Sequence, residues 1–339
     1  MRSISTAGSG IARKLPGARA FAIAVAAGAR GGHIPPMRPF LRVAVVTLAV
    51  ALPLRAQENA LVAFNAGSLA VPLRAALDSF GAREHATLEQ ENAGSLETAR
   101  KLTELHRIPD VIALADYQVF VQLLMPKYVS SYAQFARNRM VLAYTPKSKF
   151  APEITAKNWT DILLRAGVET GRADPGTDPN GYRTLLSLRL AESFYAKPGL
   201  AAKLLAAIPD RNMRPNEATL VALVQSGEMD YIWSYESIAQ AAKLAYLQLP
   251  PEIDLGDPAM AARYAAVSVR VAGKTVRDSI TVTGEPIVYG IAVPDDAPHK
   301  ALAERFLAWI LSPDGVRVLR AAKLDALQKP VIVRSASAP

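Results

Sequence analysis

Short apolar runs alternate with amphipathic stretches along most of the chain, and this alternation predicts strands and helices in turn. Residues 60–64 form an apolar run, and beyond a four-residue turn Leu69, Leu73, Leu77 and Phe80 recur at helical spacing. Alternating strands and helices are typical of an α/β protein with mainly parallel sheets covered by helices. We therefore predict this fold class.

The same pattern predicts the later elements. Strands are predicted at residues 87–92, 110–115, 140–144, 231–234, 287–293 and 331–333, with antiparallel strands within 262–283. Helices are predicted near residues 185–194, 217–226, 236–244 and 301–311.

Charge is distributed unevenly along the 339 residues, whose formal net charge is +9. Residues 1–56 contain eight basic residues and no acidic one, which leaves 31 basic against 30 acidic residues in the remainder. Because the remainder is nearly neutral, the charge gives no support for a nucleic-acid-binding protein.

Residues 37–56 have the order of a secretory signal peptide. Arg38 and Arg42 precede an apolar stretch from Val43 to Leu52, and residues 54–56 form a plausible cleavage site. Ten apolar residues are too few to span a bilayer. We expect residues 1–56 to be removed, with residues 1–36 reflecting a start codon placed before Met37.

The chain contains no cysteine, which excludes disulfides, thiolate metal sites and a lipid-modified N-terminal cysteine. Because an exported protein without that lipid anchor is not tethered to the membrane, we predict a periplasmic location. The four histidines are not paired at ligand spacing, and no nucleophile elbow, Walker A loop or dinucleotide fingerprint is present. The sequence gives no positive signal for an enzyme.

A strand–Ala-Gly-Ser–helix unit occurs twice, at residues 66–68 and 93–95. Glycine allows close backbone approach, and free N–H groups at a helix N-terminus favour an anion. The alternative is that each serine only caps its helix. In a parallel sheet both turns lie at the carboxyl edge, where ligands bind.

Two further segments carry candidate chemistry, at residues 178–183 and 214–217, followed by Tyr235. Asp178 could simply cap a helix, Glu217 could simply complement a helix dipole, and Tyr235 could be a core residue.

Together these segments resemble the tungstate/molybdate-binding proteins of ABC transporters, in the branch common in archaea. The similarity spans about residues 61–333 and includes AFNAGSLAVPLR, ENAGSLETARKL, GRADPGTDPNGYR and RPNEATLVALVQSGEMDYIWSYESIA. It implies a two-lobed periplasmic-binding-protein fold of type II, with the ligand in the cleft between the lobes. It also implies a membrane permease as partner, no catalysis and no cofactor.

The resemblance also implies a set of ligand-binding residues. Asn180 would donate its backbone N–H, and Asp178 and Glu217 would bind the molybdenum or tungsten centre and make it six-coordinate. The complete set is Gly67, Ser68, Ser95, Asp178, Asn180, Glu217 and Tyr235. The segment between Asp178 and Glu217 is shorter than in the family, and Asp174 is an alternative to Asp178.

We expect residues 57–140 and 287–335 to form lobe one and residues 141–286 to form lobe two. The predicted function is capture of tungstate or molybdate by a periplasmic monomer that delivers it to the permease. Two alternatives stay open: the same fold binding sulfate or phosphate, and a carboxylate-dependent hydrolase. Carboxylates that bind the metal centre would exclude sulfate, which cannot expand its coordination.

Overall fold

The computed structural model describes residues 60–272 and 278–335. The predicted leader, residues 1–56, lies outside these ranges, so its export role stays a prediction. None of the helices within the described ranges combines the length and apolar character that a bilayer span requires.

Six strands form the larger sheet, and we call the body built on it lobe one. In spatial order they are β13 (Asp325–Arg334), β4 (Ser131–Arg137), β12 (Val288–Ala292), β3 (Val111–Leu114), β1 (Ala60–Ala66) and β2 (Thr87–Ala93). Its helices are α1 (Ala70–Glu84), α2 (Ser95–Thr103), α9 (Lys300–Ile310) and α10 (Pro313–Ala321). The rings of Phe80 and Phe306 meet edge to face at 5.1 Å and join α1 to α9.

Five strands form the second sheet, and we call the body built on it lobe two. In spatial order they are β7 (Met213–Arg214), β6 (Thr170–Ala173), β8 (Tyr231–Tyr235), β5 (Met140–Tyr144) and β9 (Ala245–Gln248). The remaining elements are α3 (Trp159–Leu163), α4 (Pro179–Phe194), α5 (Leu200–Ala206), α6 (Glu217–Ser226), α7 (Glu236–Ala241), α8 (Ala261–Tyr264) and the hairpin β10 (Ser268–Ala272) with β11 (Ser279–Thr283).

Both sheets are mixed, which corrects the prediction of mainly parallel sheets. β1 is parallel to β2 and β3, and β6 is parallel to β7 and β8. Antiparallel ladders join β12 to β3 and β4, β13 to β4, and β5 to β8 and β9. An apolar run identifies a strand but does not show its direction, because direction depends on the connection that precedes it. The α/β class itself is confirmed.

The chain passes between the lobes twice, from β4 to β5 and from β11 to β12. At these crossings the N–H of Asn138 donates to the carbonyl of Ile287 at 3.3 Å. A cavity of about 380 Å³ lies beside them, and residues of both lobes line it, among them Arg137, Glu236 and Lys323. The predicted lobe boundaries, at residues 140/141 and 286/287, stay a prediction.

Because β1, β2 and β3 are parallel, their carboxyl ends share one edge of the lobe-one sheet. The loops that follow β1 and β2 carry the two Ala-Gly-Ser turns, and the loop after β3 carries Ala115 and Asp116. From lobe two, the loop after β6, the start of α6 and the end of β8 lie against this edge. The candidate site lies where these segments meet.

Candidate functional site

Ser68 lies in a single 3-10 turn, Gly67–Leu69, between β1 and α1. Its buried Oγ accepts a hydrogen bond from Tyr289 Oη at 3.0 Å. Tyr289 in turn accepts from Asn138 Nδ2 at 3.0 Å, so its own proton is directed at Ser68. Since Ser68 already accepts this bond, its hydroxyl proton remains available for donation.

Ser95 is the first residue of α2, and Gly94 occupies the N-cap position. Its Oγ accepts a hydrogen bond from the N–H of Ala115 at 3.0 Å. Neither Ser95 nor Ser68 provides a side-chain cap to its helix, so the cap interpretation is wrong for both. Ser95, like Ser68, retains a proton for donation to a ligand.

The N-terminus of α2 contacts a carbonyl group of lobe two. The N–H groups of Leu96 and Glu97 donate to the carbonyl of Thr177 at 3.1 and 3.3 Å. These two N–H groups were predicted to bind an anion, but they are hydrogen-bonded to the opposite lobe. The hydroxyl of Ser95 therefore becomes the side-chain donor that α2 offers to a ligand.

Asp178 caps α4 and is 5% exposed. Its Oδ1 accepts from the N–H of Asn180 at 2.9 Å, and its Oδ2 accepts from the N–H of Glu217 at 3.3 Å. Burial raises the pKa of this carboxyl to about 6, against the opposing effect of the two hydrogen bonds. Asp178 therefore fulfils the capping role and also binds the backbone of Glu217, the residue that carries the second carboxyl.

The position of Asn180 corrects one implication of the resemblance. Its backbone N–H binds Asp178, and its side-chain Nδ2 donates to the carbonyl of Trp233 at 3.3 Å. Asn180 thus fixes Asp178 and does not present that N–H to a ligand. The alternative carboxyl, Asp174, is only half-buried and accepts from the N–H of Gly176 at 2.7 Å, within its own loop. Contact with Glu217 distinguishes Asp178 from Asp174.

Glu217 is the first residue of α6 and is 1% exposed. Its Oε1 accepts from the hydroxyl of Ser234 and from the N–H of Tyr235, the latter at 2.7 Å. Its Oε2 is buried and has no hydrogen-bond partner. Burial raises the pKa of Glu217 well above its ordinary value, and the charge of Asp178 raises it further. A carboxylate oxygen without a partner at this depth is costly unless it serves a ligand.

Tyr235 ends β8 and is fully buried, and its Oη accepts from Arg183 Nη1 at 2.8 Å. Since a guanidinium cannot accept a hydrogen bond, the Tyr235 proton is directed elsewhere. Arg183 Nη1 also donates to the carbonyl of Ala115, in lobe one, at 2.7 Å.

The sequence analysis gave no individual role to Tyr289 or Arg183, which complete this network. Arg183 lies in the motif DPNGYR that carries the resemblance, but nothing in the sequence shows which residue faces it across the cleft. Of the predicted residues, the structure joins Asp178, Glu217, Asn180 and Tyr235 directly. Ser95 and Ser68 are joined to them through Ala115, Arg183 and Tyr289, whose ring meets that of Tyr235 at 6.0 Å.

The site thus presents hydroxyl donors from both lobes and two buried carboxyls from lobe two. Within residues 60–272 and 278–335, no group of three or more His, Cys, Asp or Glu side chains could hold a metal cation. Two sheet-based lobes, joined by two crossings, with polar loops converging between them, define the type II periplasmic-binding-protein fold. The molybdate-binding protein of Azotobacter vinelandii shares this fold, with a TM-score of 0.55 at 17% identity over 78% of this chain and 98% of that one.

A family model described as bacterial extracellular solute-binding protein matches residues 61–322, and the chain belongs to that family. An uncharacterised solute-binding protein of Petrotoga mobilis is 39% identical over 280 residues, 82% of this chain and 87% of that protein. The molybdate/tungstate-binding protein WtpA of Thermococcus kodakarensis is 36% identical over 302 residues, 81% of this chain and 84% of that protein.

Proposed function

We propose that this protein captures molybdate or tungstate between its lobes and delivers it to the permease of an ABC transporter. The observation that carries the proposal is the buried pair Asp178 and Glu217, in which Glu217 Oε2 has no partner. A relative named for molybdate/tungstate binding, similar over most of its length, supports the same ligand class.

Carboxylates repel a simple anion, so this pair needs a specific chemical reason. Molybdenum(VI) and tungsten(VI) centres accept further oxygen ligands, and two carboxylates would complete six-coordination. Glu217 Oε2 is free for this, and each Asp178 oxygen keeps one lone pair after accepting its N–H. The hydroxyls of Ser68, Ser95 and Tyr235 would then donate to the oxygens of the anion, beside the backbone of Gly67.

The protein acts as a monomer in the periplasm after removal of its leader, without catalysis and without a cofactor. The bound oxyanion is cargo, and the form with the lobes in contact is the one presented to the permease.

A second candidate ligand is sulfate or phosphate, and the raised pKa values favour it. Burial raises the pKa of Asp178 to about 6 and that of Glu217 well above its ordinary value. A protonated carboxyl could donate a hydrogen bond to an oxygen of any tetrahedral oxyanion. This mode requires no expansion of coordination, so it would not discriminate against sulfate.

The test measures the melting temperature of the purified protein with molybdate, tungstate, sulfate and phosphate added separately. A ligand at about 100 times its Kd stabilises the folded state by about 2.7 kcal/mol. Stabilisation by the two oxometalates alone is expected. Stabilisation by sulfate or phosphate as well would favour the second candidate, and no response to any of them would point to the hydrolase alternative.

The ligand set is tested by Glu217→Gln and Asp178→Asn, with Asp174→Asn as the comparison. The two site variants are expected to lose most oxometalate affinity, and X-ray absorption of bound tungstate should show six oxygen neighbours only in the wild type. Four-coordinate tungstate in the wild type, or a loss caused by Asp174→Asn alone, would contradict the assignment.

A further inference from the structure

The two Ala-Gly-Ser turns are identical in sequence but differ in what surrounds their glycines. A Cβ added at Gly67 would have Ala93 O as its nearest neighbour, at 3.9 Å, which is ordinary contact. A Cβ added at Gly94 would lie 2.2 Å from Thr177 O and 3.2 Å from Asp178 Cα, both in lobe two. Only the second glycine is therefore required to be small.

The atoms that Gly94 faces belong to a backbone that is held in place. Thr177 O accepts from Leu96 and Glu97, and the Thr177 N–H donates to Asp174 O at 3.1 Å. The Thr177 hydroxyl donates to Pro215 O at 2.6 Å. A backbone carbonyl so fixed cannot rotate away as a side chain would, so a methyl group at Gly94 has to separate the lobes by about 0.8 Å or more to reach even a 3.0 Å contact.

We infer that Gly94 is a positioning residue whose lack of a side chain sets how closely the two lobes approach at the site. Gly94 directly precedes Ser95, and Thr177 directly precedes Asp178. Their contact therefore fixes the distance between a hydroxyl donor of lobe one and a carboxyl of lobe two. The inference rests on the proposed function, since it explains how both groups reach one small ligand.

The experiment compares the wild type with Gly94→Ala and with a matched control, Gly176→Ala. The control adds the same methyl group to the residue before Thr177, where the nearest atom is the side-chain oxygen Oδ1 of Asp174 at 3.3 Å. Each protein is examined by calorimetric titration with tungstate, by its melting temperature without anion, and by small-angle scattering with and without tungstate.

Gly94→Ala is expected to melt as the wild type does without anion, because separated lobes can accommodate the methyl group. Its tungstate affinity should fall about tenfold or more, since a site of this kind tolerates only about 0.5 Å of displacement. Its radius of gyration should decrease less on tungstate addition than that of the wild type, while Gly176→Ala should compact and bind normally. Wild-type affinity and compaction in Gly94→Ala would overturn the inference.

A measurement on the wild type alone covers the case in which Gly94→Ala does not fold. The amides of Leu96 and Glu97 donate across the cleft, so their hydrogen exchange should slow when tungstate is added. Equal exchange with and without tungstate would overturn the inference. A wild type that binds neither tungstate nor molybdate would instead contradict the proposed function, and the same comparison then uses whichever of sulfate or phosphate binds.

Discussion

Asp116, in the loop after β3 of lobe one, and Arg183, in α4 of lobe two, form a buried ion pair across the cleft. Arg183 Nη2 lies 3.2 Å from Asp116 Oδ2, and both side chains are 3% exposed. The hydroxyl of Tyr182 donates to the same carboxylate oxygen. A buried pair contributes little net stability, but removal of one partner leaves an uncompensated buried charge. The pair therefore affects the form with the lobes in contact and leaves each lobe's own core unchanged.

Replacing one partner of this pair should accelerate ligand release. In Arg183→Gln the carboxylate of Asp116 stays buried without its partner whenever the lobes meet, at a cost of about 3–5 kcal/mol. We expect tungstate to dissociate faster by at least tenfold, with the melting temperature of the anion-free protein little changed. Stopped-flow displacement measures the rate.

The double variant Asp116→Asn/Arg183→Gln distinguishes the effect of losing the ion pair from the effect of changing side-chain volume. Because the two residues interact directly, its effect on tungstate dissociation should be smaller than the product of the single effects. Arg189→Gln, an exposed position on the same helix, serves as the control. If the double variant's effect on the dissociation rate equals the product of the two single effects, the ion pair does not govern release.

Binding of an oxometalate by carboxylates should release protons. Burial raises the pKa of Asp178 to about 6 and that of Glu217 above its ordinary value, so acid keeps protons on both. Coordination requires the ionised forms, and tungstate affinity should therefore fall as the pH is lowered through about 6. Calorimetric titration at that pH, in two buffers of different ionisation enthalpy, measures the number of protons released per tungstate bound.

Proton uptake on binding, or tighter binding at lower pH, would contradict coordination. It would indicate instead that protonated carboxyls donate to the anion, as in the sulfate or phosphate alternative.

Removing the charge of Glu217 should stabilise the anion-free protein while weakening binding. Because burial raises the pKa of this acid, the folded state holds the proton more tightly than the unfolded chain does. The stabilisation that this proton contributes is fully present below the pKa of Glu217 in the unfolded chain. It is lost as the pH rises through the pKa of Glu217 in the folded protein. For Asp178, between its ordinary 3.8 and about 6, the same effect amounts to about 3 kcal/mol.

We therefore expect Glu217→Gln to be more stable than the wild type at pH 8, with the difference shrinking toward acid. The Gln side chain keeps the oxygen that accepts from Ser234 and Tyr235. Urea unfolding across this pH range gives the comparison, and Glu304→Gln, at an exposed position of α9, should follow the wild type. A variant that is less stable at pH 8 would show that the carboxylate stabilises the fold.

Tyr289→Phe tests the hydrogen bond that sets the direction of the Ser68 proton. The change removes the donor to Ser68 and leaves Asn138 without one acceptor. A hydrogen bond of this kind contributes about 1 kcal/mol, so tungstate affinity should fall several-fold. Tyr128→Phe, at a half-buried tyrosine elsewhere in lobe one, is the control, and equal affinity in the two variants would exclude a role for Tyr289.

Much of the fold could be predicted because most apolar runs are bounded by turn residues. Strand β5 occupies the predicted residues 140–144, and β1, β2 and β8 differ from prediction by one or two residues at an end. Strands β4, β6, β7 and β9 were missed. β4 carries polar side chains at Gln134 and Arg137, and β6 is the short sequence TGRA, so neither shows a hydrophobic pattern.

The site was predictable only in part, for a similar physical reason. Glycine, serine and carboxylate residues directly after strands indicate a ligand edge, and Asp178 and Glu217 do meet there. The roles of Arg183, Asp116 and Gly94 depend on which atom of the opposite lobe each one faces. A local sequence pattern contains no information on such contacts.

The cavity beside the two crossings makes the molecule suitable as an optical sensor. Residues of both lobes line it, so a change in the angle between the lobes alters its shape. The chain contains no cysteine, so an Arg137→Cys variant would offer a single thiol for an environment-sensitive dye. Such a dye would report in its emission whether the cleft is filled, from a position outside the proposed ligand set.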